Sequence, residues 1–240
     1  MSSDHLVLIV GESKAGKSAS LEHLKDPKGV MYLGTEAGKR LPFKSDFKKA
    51  TITDPMQILA YFDKAEQMPE VHSIIIDSLT YMMDQFESQY VIGSVNTMAA
   101  WGDYQQFFKT LMQKKVAASS KTVGFTAHTQ AILDESAGEF KVKVPVKGAL
   151  KAYGIESYFS TVISTKKMQL PKLEAYANPL LIITERDKRL GYKHVYQTQP
   201  TKETAQEAIG GPMGMWSYEE TYIDNNLQFV FDRLAEYYGD

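Results

Sequence analysis

Short, almost unbroken apolar runs recur along the chain at Leu6–Val10, Val30–Leu33, Ser73–Ile76 and Thr122–Thr126. A run without polar alternation is expected of a strand buried on both faces of a parallel sheet. Two later runs, Thr161–Ser164 and Leu180–Thr184, read as further strands. Between the runs, helical spacing predicts helices over Lys17–Leu24, Pro55–Gln67 and Leu79–Ala118, the last with a break near Gly93. Strands and helices in alternation predict right-handed crossovers and a mostly parallel, doubly wound α/β sheet.

The pattern changes after Thr126. Glu139–Val146 alternates polar and apolar residues, and Leu180–Thr198 predicts a C-terminal β-hairpin turning at Asp187–Gly191. From Ile209 a tail opens with Gly210-Gly211-Pro212 and closes in a helix with Leu227, Val230, Phe231 and Leu234 on one face. No internal repeat or low-complexity linker divides the 240 residues. The expected organisation is a core over 1–208 and a tail over 209–240, whose helix docks on the core or on a neighbouring subunit.

Composition removes several classes of chemistry. With no Cys, disulfides, thiolate zinc sites, iron–sulfur clusters and a Cys nucleophile are excluded. Lys+Arg 27 against Asp+Glu 29 gives a net charge of -2, so any nucleic-acid contact depends on local patches. The apolar runs fall short of the roughly 18 residues of a membrane helix, and the first ten residues have no cationic leader. A cytoplasmic protein without a membrane partner is expected.

One segment carries specific chemistry. Gly11-Glu12-Ser13-Lys14-Ala15-Gly16-Lys17-Ser18, with Ala19 next, fits G-x-x-x-x-G-K-[ST] between an apolar run and a helical stretch. In that context backbone N–H groups wrap a β-phosphate, Lys17 reaches the β- and γ-phosphates and Ser18 ligates Mg²⁺. Lys14 reads as an extra, solvated cation. The run Ser73–Ile76 ends in Asp77, placed to hold Mg²⁺ through water. Glu36 follows the second run, where a carboxylate can orient or deprotonate the attacking water; a surface Glu is the alternative. His128 closes the Thr122–Ala127 run and is placed to sense a γ-phosphate, a merely solvated His being the alternative. His5, His23, His72 and His194 suggest no metal site and receive no chemistry.

These elements in this order resemble the RecA-like ATPase core, and Asp77-Ser78 is especially like the recombinases. More closely, the chain resembles compact phage RecA-core ATPases of the single-strand annealing and recombination type. Thr35-Glu36 running into Gly38–Lys44, Gly191-Tyr192-Lys193-His194 with Gln197-Thr198, and Gly210-Gly211-Pro212 with Trp216 carry that likeness. The resemblance implies a RecA-like P-loop core, ATP on Gly11–Ala19, Mg²⁺ through Ser18 and Asp77, and catalysis by Lys17, Glu36 and His128. It also implies a ring or filament of identical subunits in which a neighbour's cation completes the site. Lys188 and Arg189 at the expected hairpin tip, with Lys193 behind them, are the candidates; a solvated turn is the alternative. Recombinases carry an N-terminal arm that docks on the next subunit. Here the first strand begins near residue 6, so the tail or another surface is expected to supply that contact.

In such a core the stretch from Thr129 to Leu150 faces the channel. It combines Phe140 with Lys141, Lys143, Lys147 and Lys151, which suits single-stranded DNA as well as it suits a solvated hairpin. Lys39, Arg40, Lys44, Lys48 and Lys49 form a second basic group beyond Glu36, open to DNA, nucleotide, neighbour or solvent. The expected function is ATP-controlled single-stranded-DNA binding in phage-type recombination or annealing, with Mg-dependent, DNA-modulated ATP hydrolysis. A single-strand DNA-binding protein is a further partner on this reading, and the host cytoplasm the location if phage-encoded. A RecA-like helicase or replication loader is the alternative. A small-molecule kinase is less favoured, because its arginine-rich lid is not found among Arg40, Arg186, Arg189 and Arg233.

Overall fold

The computed structural model describes residues 5–36, 38–134 and 138–239. The chain opens with β1 (Leu6–Gly11), buried at every residue. After the glycine-rich loop comes a four-residue 3-10 turn, Ser18–Leu21, not the helix expected over Lys17–Leu24. The chain must turn back toward β2 (Val30–Gly34), and Asp26 in the left-handed region followed by Pro27 leaves no room for helix growth. β3 (Lys48–Thr51) is an edge strand with alternating exposure that no apolar run announced.

Next come α1 (Gln57–Glu66), the fully buried β4 (Ser73–Asp77) and α2 (Leu79–Phe86). α3 (Thr97–Thr110) follows after the expected break. Gly93 takes a positive φ of 86° there, and the Asn96 side chain caps the new helix by accepting from Ala99 N–H. β5 (Thr122–His128) returns to the sheet. β6 (Gln130–Asp134) and β7 (Glu139–Lys143) form a separate two-stranded hairpin. The remaining elements are α4 (Leu150–Tyr153), β8 (Thr161–Gln169), α5 (Leu170–Leu173), α6 (Glu185–Leu190), β9 (Tyr192–Gln197), β10 (Tyr222–Asp224) and α7 (Leu227–Tyr238).

The main sheet has eight strands in the order β10-β9-β8-β1-β5-β4-β2-β3. From β8 to β3 every pairing is parallel, and β9 and β10 add antiparallel strands at one edge. The C-terminal hairpin is therefore present, but its first arm is β8, paired from Ser164↔Gln197 to Gln169↔Tyr192. Leu180–Thr184 forms no strand. Its backbone is tied to β10 by single bonds, with Asp224 N–H donating to Leu180 O at 2.8 Å. The true arm, Thr165–Gln169, is polar because it runs past the double-sided core, so it gave no apolar signal.

Alternate residues of β1 enter opposite cores, as strand geometry requires. Leu6, Leu8 and Val10 pack with residues of α1, α2 and α3. Val7 and Ile9 pack with Ile75, Tyr196 and Leu227, Val230, Phe231 and Leu234 of α7. Each such side chain contributes about 1.5–3 kcal/mol on full burial. Gly124 on β5 lets α7 come close: a Cβ there would lie 2.9 Å from Ile75 and 3.6 Å from Leu227 and Phe231.

Candidate functional site

Parallel strands end together, so the polar residues closing β1, β2, β4 and β5 collect at one rim of the sheet. The register places Gly11 opposite His128, Gly34 opposite Asp77 and Asp77 opposite Thr126. Gly11 turns the chain out of β1 where a Cβ would collide with Thr165 at 2.2 Å. Within the loop, Lys14 takes a φ of 63° and is exposed. Glu12 and Ser13 are exposed, Ala15 is buried, Ser18 is half-buried at the start of the 3-10 turn, and Ala19 beside it is exposed.

Lys17 is only 6% exposed and points back under its own loop. Its Nζ donates to the carbonyls of Gly11 and Glu12, each at 2.8 Å, and lies 3.3 Å from His128 Nδ1. An ammonium has three protons, and these are three acceptors that phosphate oxygens can replace without leaving a donor unpaired. Burial lowers its pKa to about 8, although Asp77 and Glu36 pull it upward.

His128 continues the contact. Its Nε2 lies 3.5 Å from Glu36 Oε1, its backbone N–H donates to Thr80 Oγ1 at 2.9 Å, and Tyr81 meets its ring edge-on. The other carboxylate oxygen of Glu36 pairs with Lys39. Burial alone would raise the Glu36 pKa, but His128 and Lys39 outweigh it and hold the carboxyl below its usual value. Glu36 is therefore ionised at neutral pH, with both oxygens engaged.

Asp77 is 4% exposed, and both its oxygens accept from neutral hydroxyls. Tyr32 donates to Oδ2 at 2.9 Å and Thr126 to Oδ1. Burial and Asp77 together push the Tyr32 phenol well above its ordinary pKa, so it stays a donor. The Asp77–Ser78 peptide bond is cis, and Thr35 Oγ1 brackets it, donating to Ser78 O at 2.7 Å and accepting from Ser78 N–H at 2.8 Å. Lys17 is the cation near this buried carboxylate, whose hydrogen-bond partners are hydroxyls that leave lone pairs open to a metal-bound water. Among the described residues no cluster of three or more His, Asp or Glu side chains could cage a metal by itself. That donor set fits Mg²⁺ shared between one or two protein groups, water and phosphate oxygens, with Asp77 reaching it through water.

Three groups that sequence reasoning passed over brace this site. His194 Nδ1 lies 2.6 Å from Ala15 O, Asn225 Nδ2 donates to Gly16 O at 2.9 Å, and Tyr32 holds Asp77. Thr165 Oγ1 also donates to Val10 O, fixing the strand end beneath the loop. The exposed side of Gly11–Ala15 forms one wall of a cavity of about 530 Å³, faced by Lys166, Tyr192, His194 and Glu207. Lys167 stands 3.8 Å over the Tyr192 ring.

The other candidates relate to this constellation in different ways: Thr129 N–H donates to Gly11 O at 3.2 Å, and Thr129 and Val142 line the cavity beside the loop. Lys188 and Arg189 sit on the exposed last turn of α6, a helix rather than a hairpin tip, because Thr184 and Asp187 form a capping box. Lys188 pairs with Glu185 at 2.7 Å. Lys193 is held between Asp187 at 3.3 Å and Asp224 at 3.2 Å, which gives it a structural partner set. The stretch Thr129–Leu150 is not one loop. Its first part is the β6–β7 hairpin, with Phe140 63% exposed, Lys141 opposite Ile132 and Lys143 opposite Gln130. Residues 135–137 lie outside the described residues. Its second part is anchored: Val144, Val146 and Leu150 are buried, and Lys147 pairs with Glu87 at 2.6 Å.

A family model described as AAA domain matches residues 4–206. No curated protein matches the chain.

Proposed function

We propose a function from the premise that the chain belongs to the AAA domain family. A P-loop ATPase domain binds nucleotide, generally with Mg²⁺, and that much comes with the family. Our reading goes further: the protein hydrolyses Mg-ATP under the control of single-stranded DNA, in homologous recombination or single-strand annealing of the phage RecA-core type. The observation carrying it is the run of contacts from Lys17 through His128 to Glu36 at the strand ends. β5, which ends in that histidine, leads within two residues into the hairpin bearing exposed Phe140 and half-buried Lys143.

The residues divide the work accordingly. Lys17 exchanges its two loop carbonyls for β- and γ-phosphate oxygens, and the backbone of Gly11–Ala19 cradles the phosphates. Ser18, and Asp77 through water, would hold Mg²⁺, which neutralises phosphate charge when bound. Ionised Glu36 orients the attacking water and accepts its proton. His128 exchanges its contact with Lys17 for one with the γ-phosphate, shifting the base of the hairpin. The cavity beside Tyr192 and His194 has the size of a small-molecule site and takes the nucleoside half. Arg189, with Lys188, acts on the site of an adjoining copy in a ring or filament. A single-strand DNA-binding protein is a further partner, and the cytoplasm, or the host cytoplasm for a phage protein, is the location.

Hydrolysis measured with and without a single-stranded oligonucleotide tests this reading, together with anisotropy of the labelled strand in ATP, ADP and no nucleotide. ATP should tighten DNA binding by roughly 5- to 150-fold, the usual span of coupling between two sites. Equal affinity in all three states, with hydrolysis indifferent to DNA, refutes it. Unwinding of a forked duplex would replace annealing by the helicase reading.

A further inference from the structure

Beyond Glu36 the chain wraps a second cavity, of about 690 Å³, floored by β2 and β3. Lys39, Arg40, Lys44 and Lys49 line it, and Glu36 is the one carboxylate among its lining residues. In a protein of net charge -2 this is a concentrated basic site. Lys49 is partly spent on Ser45 O at 3.1 Å, whereas neither Arg40 nor Lys44 forms an ion pair among the described residues. Tyr32 and Phe43 supply aromatic wall, with Phe43 edge-on to Phe47 at 5.9 Å.

Lys39 belongs to both cavity and reaction centre. Its side chain is 55% exposed, yet its ammonium sits on Glu36 Oε2, while His128 stands at the other oxygen. A carboxylate flanked by two such groups is a weak base toward water. The pull is mutual, since Lys39 is itself held above its usual pKa by Glu36 despite partial burial. Glu36 is largely buried, but the Lys39 stem and ammonium are open to solvent, so the lysine can swing away and exchange this partner for a polyanion.

We propose that this cavity seats the phosphodiester backbone of single-stranded DNA, and that a phosphate entering it draws Lys39 off Glu36 and unmasks the carboxylate. The inference rests on the reading above in which Glu36 serves the attacking water. DNA is favoured over a small anion because four cations and two aromatic rings line one cavity, which suits a chain of phosphates carrying bases. Lys39 is then a masking residue that acts through Glu36 and need not touch the nucleotide.

The test uses the full chain, a labelled oligothymidine and three variants: Lys39→Gln, Lys39→Arg, and Arg40→Ala combined with Lys44→Ala. Lys39→Gln should raise hydrolysis without DNA by roughly five-fold, toward the stimulated rate, and leave DNA little more to add. Lys39→Arg keeps the mask and should remain DNA-dependent. The double variant should weaken oligonucleotide binding and flatten the plot of log affinity against log salt by about two phosphate contacts. If DNA stimulates the wild type but Lys39→Gln is no faster than wild type without DNA, the mask is refuted while the broader reading stands. If the wild type neither binds nor responds to the oligonucleotide, the broader reading fails and takes the mask with it. Equal stimulation by inorganic tripolyphosphate would overturn the assignment to DNA. So would a double variant that loses self-association in light scattering but binds DNA normally.

Discussion

Asn225 donates its side-chain amide to the carbonyl of Gly16 at 2.9 Å across a sequence separation of 209 residues. The same amide stands 2.8 Å from where a Cβ on Gly16 would lie, so the loop and the start of α7 are fitted to each other. Removing one neutral hydrogen bond costs on the order of 1 kcal/mol. Asn225→Ala should therefore weaken ATP binding by about five-fold with only a small loss of melting temperature. Titration of the variant with ATP checks this, and an unchanged affinity would reduce Asn225 to a space filler.

Lys17 sets a pH dependence with a definite sign. In the nucleotide-free chain burial lowers its pKa to about 8, and phosphate raises it by favouring the ammonium. Below about pH 8 the charge is already present and affinity should be flat. Above it, binding must first take up a proton, so affinity should fall by up to roughly ten-fold per pH unit until the bound pKa is reached. Calorimetry in buffers of different ionisation enthalpy should register net proton uptake at high pH. Lys17→Ala should lose nucleotide binding, and equal affinity in that variant would sink the phosphate site.

Glu36→Gln keeps the shape of the side chain and removes its basicity. Hydrolysis should drop by roughly a hundred-fold or more while ATP still binds. Retained turnover would move the base elsewhere on the rim.

Arg189 is exposed and far in role from the loop of its own chain, so its test is intermolecular. Arg189→Ala should reduce turnover with little change in ATP affinity, because such a cation acts on charge developed in the transition state. Mixing it with Glu36→Gln, which still offers an intact Arg189, should recover part of the activity if the residue works between copies. A mixture no faster than the sum of its parts excludes that.

The sequence announced what local patterning can encode. β1, β4 and β5 were legible because burial on both faces leaves continuous apolar runs, and the glycine-rich loop because its spacing is specific. β3 was missed since an edge strand reading Lys-Lys-Ala-Thr satisfies only one face. The hairpin was expected on the wrong first arm because Leu180–Ile183 is apolar and Lys166–Gln169 is not, although the latter make the ladder. Asn225 gave no signal and His194 only a family likeness, since their partners in the loop are set by tertiary contact alone.

The covering of the sheet has a consequence for how substrate comes to the carboxylate. α1–α3 occupy one broad side of the sheet and α7 the other. The rim at the carboxyl ends of the strands carries Glu36 and His128. Entry therefore runs along that rim and not through either face, and the side chains standing on it set how wide the entrance is.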